Sequence, residues 1–185
     1  MTKTKQTWLV VGIVLLALVL DQWSKIYIKT HFELGEAREV FSWFWIVFVE
    51  NNGMAFGIEW FSKLLLTLFR IVAVGVIGWY IHTLIHKQTV RTGYLATVAM
   101  VIAGALGNII DCVCYGKIWG YADWFHGKVV DILYFPLIRN AAGEVLFFRP
   151  VFNIADSFIT VAVLLIIIFY RKDLDASLAG VGKRK

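Results

Sequence analysis

The chain has 185 residues and a net charge of +5, and 59% of it is hydrophobic, 16% aromatic and only 17% charged. That balance excludes an ordinary soluble domain or a disordered segment and describes an integral membrane protein with a few spans and little else. The two cysteines, Cys112 and Cys114, stand too close for a disulfide framework and lack C-x-x-C or Cys/His zinc spacing, so they read as packing residues.

Four segments are long enough to cross a bilayer, which takes roughly 20 helical residues. The first runs from Trp8 to about Ile28 and is uninterruptedly apolar only to Leu20. "DQWSK" follows it instead of a small-x-small cleavage site, so the segment reads as a retained helix. Asp21 and Lys25 in that stretch are spaced i, i+4 with the acid first, the favourable order for a structural ion pair. The aromatic run "FSWFWIVFV" comes next, then "VENNGMAFG" with an Asn-Gly turn signal at Asn52 and Gly53.

The second span covers Leu64 to Ile85, with Arg70 inside it and His82 and His86 at its far end, where they read as interfacial residues because H-E-x-x-H is absent. The third covers Tyr94 to about Ile110 and ends in "GNIID", which places Asn108 and Asp111 three residues apart. The stretch 112–128 after it fits a lid or an interfacial loop equally well. "VVDILYFPLI", which contains Asp131, and "EVLFFRP" flank "RNAAG" as two strand-like runs. The fourth span, about Val151 to Tyr170, opens with "FNIAD". Asn153 and Asp156 are three residues apart there, so a helix would put both on one face.

Lys and Arg counts orient the chain. Lys3, Lys5, Lys87, Arg91, Arg171, Lys172, Lys183, Arg184 and Lys185 face only Asp173 and Asp175 if both termini and the "HKQTVR" connection share the cytoplasmic side. Segments 29–63 and 111–150 then lie outside, and the chain is expected to be one membrane domain over 1–185. In that topology Asp21, Asp111, Asp131 and Asp156 converge on the outer face. An ionisable residue at the edge of hydrocarbon reads as functional by default. Two carboxylates brought close together share a proton, so one can act as base and the other as acid on a peptide carbonyl. A proton- or ion-translocating protein is the competing reading, weakened because the acids cluster on one face.

The ordered set "DQWSK", "NNGMAF", "GNIID", "VVD" and "FNIADS" resembles lipoprotein signal peptidase, also called signal peptidase II, over about residues 8 to 170. The resemblance implies an all-α membrane fold of four transmembrane helices with a small β-containing segment on the outer face. It implies an aspartyl endopeptidase whose catalytic pair is Asp131 and Asp156. Asn51, Gly53, Asn108 and Asn153 would shape the substrate site, and Asp21, Lys25 and Asp111 would support it. The implied substrates are bacterial prolipoproteins with a diacylglyceryl-cysteine, cut just before that cysteine in the inner membrane. Membrane lipid and globomycin-like inhibitors are further expected partners; nucleic acid, metal and cofactor are not expected. Two features depart from the pattern: family members commonly carry Arg where this chain has Cys112, and the stretch from Asp111 to Asp131 is longer than the compact family pattern.

Overall fold

A computed structural model describes residues 1–52, 63–87, 90–140, 145–147 and 150–181. The elements in chain order are α1 (Lys3–His31), β1 (Ala37–Phe41), β2 (Phe44–Asn51), α2 (Lys63–Lys87) and α3 (Thr92–Ile110). A π-helical turn (Asp111–Tyr115) and the short α4 (Gly116–Ile118) follow, then β3 (Val129–Tyr134), β4 (Ile138–Arg139), β5 (Val145–Phe147), β6 (Val151–Phe152), α5 (Ile154–Phe169) and α6 (Arg171–Val181).

Three helical stretches, Lys3–His31, Lys63–Lys87 and Thr92–Ile118, are long and apolar enough to cross a membrane, and α5 with α6 makes a fourth candidate bent by 86°. Their side chains explain why. Leu15, Leu16 and Val19 of α1, Phe69, Val72 and Trp79 of α2, and Ile167, Ile168 and Phe169 of α5 are all exposed. Such continuous apolar exposure suits hydrocarbon and not water.

The chain divides into two compact units, 1–19 with 69–107 and 155–185, and 20–68 with 108–154. The first has a helical core of Ile81, Leu84, Ile85, Tyr94, Leu95 and Val98. Gly104 is required there, since a Cβ would stand 2.3 Å from the Ala155 carbonyl oxygen and force α3 from α5. The sharp bend between α5 and α6 is held by Arg91. Its guanidinium donates to Asp173 at 2.6 and 2.8 Å and to the Phe169 carbonyl at 2.6 Å. The Tyr80 hydroxyl bonds Tyr94 at 2.7 Å and also Ser177 of α6.

The second unit is built on a four-stranded antiparallel sheet in the order β1-β2-β3-β6. Its apolar core is Ile28, Phe48, Tyr115, Val130 and Ile132. β2 carries one extra residue: Ile46 lies opposite Leu133 but Val49 lies opposite Asp131, so the buried Val47 and Phe48 together face Ile132. The bulge resets the alternation of β2. It puts Asn51 on the same sheet face as Asp131, where unbroken alternation from Ile46 would have turned it away.

Two local readings of the sequence change. The fourth helix begins at Ile154 and not near Val151, because Val151 and Phe152 pair with Tyr134 and Leu133 as a sheet strand. Asn153 therefore precedes the helix that holds Asp156 in its first turn, and the two do not share a helical face. The run "EVLFFRP" supplies β5, which pairs with β4.

Candidate active site

The polar residues singled out by spacing meet in the second unit around a buried lysine. Lys25, on α1, is 0% exposed. Its ammonium stands 2.8 Å from Asp21, 2.8 Å from Asp111 and 3.1 Å from the Asn108 amide oxygen, so each of its donors has a partner. Asp21 is one helical turn back on α1, which is what the i, i+4 spacing requires. Asp111 begins the π-helical turn after α3. The same Asp111 oxygen that faces Lys25, Oδ2, also accepts the Val130 backbone N–H at 3.3 Å, tying it to β3.

The π turn has a visible cause. The carbonyls of Cys112 and Val113 accept the backbone N–H groups of Gly127 (2.9 Å) and Phe125 (3.0 Å). They are drawn out toward the returning loop, and the wider winding at Asp111–Tyr115 leaves room for it. Gly127 can come this close only because it has no side chain; a Cβ would stand 2.0 Å from the Asp111 carbonyl oxygen.

A chain of amides leads from the lysine to Asp131. The Asn108 oxygen that accepts from Lys25 also accepts from the Asn153 amide nitrogen at 3.1 Å, and that nitrogen donates to Asp131 Oδ1 at 2.9 Å. Because Asn108 presents oxygen to Lys25, Asn153 must present nitrogen, and so meets Asp131 as a donor. Asn51 donates to the other oxygen, Asp131 Oδ2, at 3.1 Å. Asp131 is 3% exposed in the sheet, flanked by β2 and β6, with an amide N–H on each carboxylate oxygen.

Asp21, Lys25, Asn51, Asn108, Asp111, Asp131 and Asn153 are thus brought together. Asp156 is half-buried in the first turn of α5, three residues beyond Asn153. Gly53 lies outside the described residues. Among the described residues, no group of three or more His, Cys, Asp or Glu is placed to hold a metal ion. The His82 and His86 rings pack in a tilted arrangement, 4.2 Å between centroids and 44° between planes, on α2.

The spacing arguments missed Gln22 and Tyr115. Gln22 donates to Asp111 at 2.9 Å and to Asp21 at 3.1 Å, and its oxygen accepts the Tyr115 hydroxyl at 3.1 Å. Its place inside "DQWSK" was the available signal. Tyr115 had none, because its position depends on the π turn. Cys112 is buried beside Asp111, at 1% exposure.

Comparison with known proteins identifies the family. Residues 13–171 match the family model described as signal peptidase (SPase) II. A lipoprotein signal peptidase of Porphyromonas gingivalis is 40% identical, with 97% of this chain and 90% of that protein covered. One of Amoebophilus asiaticus is 35% identical over 92% of this chain and 81% of its own length. A bacterial membrane enzyme solved by the in meso method at 2.3 Å resolution superposes with a TM-score of 0.67. It is 28% identical, with 95% of this chain and 92% of that one covered. A second, solved by the same method at 1.9 Å, gives a TM-score of 0.62 at 28% identity, over 86% of this chain and 90% of its own.

Proposed function

The chain belongs to the signal peptidase II family of aspartic-type lipoprotein signal peptidases, and from that premise we propose that Asp131 and Asp156 are its catalytic pair. The observation that carries the assignment is the environment of Asp131, a buried carboxylate with an amide donor on each oxygen. Donors aimed at a carboxylate favour its charged form. Asp131 accordingly takes the part of the base and Asp156 that of the acid. The base takes a proton from water as the water oxygen attacks the scissile carbonyl carbon. Asp156 gives its proton to the carbonyl oxygen; as the tetrahedral gem-diol collapses, Asp131 passes the proton it took from water to the departing nitrogen and one gem-diol hydroxyl returns its proton to Asp156.

The supporting residues have distinct parts in this reading. Lys25 pairs with both Asp21 and Asp111, offsetting one of their two charges, and fixes Asn108. Asn108 and Asn153 orient the amide that faces Asp131, and Asn51 holds its second oxygen. Gly53, two residues after Asn51 in the sequence, belongs with it to the substrate-site motif that the family resemblance implies. The substrate is a prolipoprotein whose cysteine already carries diacylglycerol, cut just before that cysteine. The lipid keeps the substrate in the membrane, so the bond is presented at the depth of the aspartates. The enzyme lies in the bacterial inner membrane with both termini cytoplasmic and the site toward the periplasm, and globomycin-like peptides inhibit it. Family membership argues against the ion-translocating alternative.

Purified protein should release the signal peptide from a diacylglyceryl-modified prolipoprotein and leave the unmodified precursor intact. Equal cleavage of both would remove the lipid from the recognition scheme. For the orientation, single cysteines replacing Lys87 and Lys117 should be labelled from opposite sides of the membrane. Labelling from one side would overturn the placement of the site.

A further inference from the structure

The sheet face turned away from Asp131 carries a second charged cluster, which the proposed chemistry does not use. Glu50 stands next to Asn51 at the end of β2 and points to the opposite face, as neighbouring strand residues must. One carboxylate oxygen accepts from Lys29 of α1 and the other from Lys128 at 3.1 Å. Lys128 immediately precedes β3. Glu50 is opposite Val130 in the register, so Lys128 is its diagonal neighbour on that face. Three separate stretches of chain therefore meet on one carboxylate.

The two lysines are themselves held. The Lys29 ammonium lies 5.4 Å from the ring centre of Phe48, 5.4 Å from Trp119 and 5.1 Å from Tyr121. Lys128 lies 5.7 Å from the Tyr121 ring, and its backbone N–H donates to the Tyr121 hydroxyl at 2.7 Å. The Lys29 and Glu50 side chains are each 10% exposed, so this pair escapes most of the screening that makes surface ion pairs weak. Burial alone would push the Glu50 carboxyl up, but the hydrogen bonds and charges of Lys29 and Lys128 outweigh it and hold it below its ordinary value. Lys63 of α2 and Tyr121 also interact electrostatically with Glu50.

We propose that Glu50, gripped by Lys29 and Lys128, is a positioning residue: it pins the last turn-out of β2 so that the Asn51 amide stays on Asp131 Oδ2. The inference rests on the reading of Asp131 as the catalytic base. β2 ends at Asn51, so the sheet pairing of Asn51 with Val129 and the Glu50 clamp one residue earlier are what hold that amide in place. Because Glu50 is held below its unfolded value of 4.5, the clamp is complete above that pH and is lost as pH falls through the lower folded value.

The test uses the full-length reconstituted protein and a synthetic diacylglyceryl-cysteine prolipoprotein peptide, with kcat and KM followed separately across pH. Glu50→Gln keeps the shape and removes the charge. A carboxylate that loses an N–H donor binds protons more readily, so the acid limb of kcat should move up by about half a pH unit. The same variant should lose roughly tenfold in kcat, with KM little changed. Asn51→Ala should shift the limb the same way, and the double variant should be no worse than Asn51→Ala alone. Lys128→Met removes one jaw at a half-exposed position, and should give a smaller shift of the same sign even if Glu50→Gln folds poorly. An unmoved acid limb in folded Glu50→Gln or in Lys128→Met, or singles that multiply in the double, would overturn the clamp. Retained turnover by Asp131→Asn would instead strike the reading of Asp131 beneath it.

Discussion

Both compact units set a basic side chain against aspartate, and the two arrangements end differently. In the helical unit, Arg91 meets Asp173 one to one, and the arginine side chain is 61% exposed while the aspartate side chain is 9% exposed. The remaining guanidinium bond goes to the Phe169 carbonyl, so the contacts close on themselves and hold the turn from α5 to α6. In the sheet-bearing unit, one fully buried lysine faces two carboxylates, both essentially inaccessible. Its third bond goes to Asn108, whose oxygen passes the orientation on through Asn153 to Asp131. A self-contained pair fastens two segments. A cluster with one carboxylate in excess and an amide handed onward sets the orientation of a distant carboxylate, at the cost of burying unbalanced charge.

The largest effect should come from the end of that chain. Asp131→Asn and Asp156→Asn keep size and hydrogen bonding while removing the titrating group, so each should reduce turnover by on the order of 10³-fold or more in protein that still inserts and purifies. The double variant should be no worse than either single, because residues acting as one unit are not additive. Substantial turnover by a folded single variant would dissolve the pair, and the sheet-bearing unit would then be no different in kind from the helical one.

Removing the cations tests the contrast directly. Lys25→Met leaves Asp21 and Asp111 buried without their counter-charge, and should lower unfolding stability by about 3–5 kcal/mol. Adding Asp21→Asn should recover part of the loss by returning the cluster to the parent's single excess carboxylate and removing the repulsion between the two acids. Arg91→Met should lower the melting temperature in detergent much less, since that cation already lies mostly in water. Turnover of the surviving folded fraction should be normal in Arg91→Met and reduced in Lys25→Met, where Asn108 is no longer told which way to face. Equal effects of the two substitutions would mean the buried cluster is a fastening like the other.

The parts of this molecule that a sequence displays are those fixed by local period. The helices follow from length and apolarity, and the Asp21–Lys25 pair from a single helical turn. Asn108 and Asp111 stand out because amide and acid in an apolar stretch have few innocent uses. Asn153 was visible as a residue but not in its setting: its amide is claimed by Asp131, and the preceding Val151 and Phe152 by β3, so the helix starts after it. The bulge that turns Asn51 toward Asp131 could not be read, because it appears only when β2 is laid against β3. Gln22, Tyr115 and the Lys29–Glu50–Lys128 clamp are likewise products of tertiary contact. In sequence they are ordinary helix, loop and strand residues.

The smallest effect is expected at Cys112, which lies beside the buried cluster at the position where the family resemblance would lead one to expect arginine. Its side chain is packed inside the protein at 1% exposure, and its carbonyl oxygen accepts the Gly127 N–H at 2.9 Å. That bond belongs to the backbone and survives any change of side chain. Cys112→Ser replaces a small apolar group by a hydroxyl of nearly the same size, so the cost is that of burying one more polar atom, about 1 kcal/mol or somewhat more. The chain of donors from Lys25 to Asp131 does not pass through the thiol, and turnover should therefore stay within about twofold of the parent, since nothing stabilising the transition state is removed. Cleavage measured alongside the melting temperature separates the two effects. A loss of turnover as large as that of Asp131→Asn, in protein that melts normally, would put the thiol in the chemistry and leave a two-aspartate mechanism incomplete.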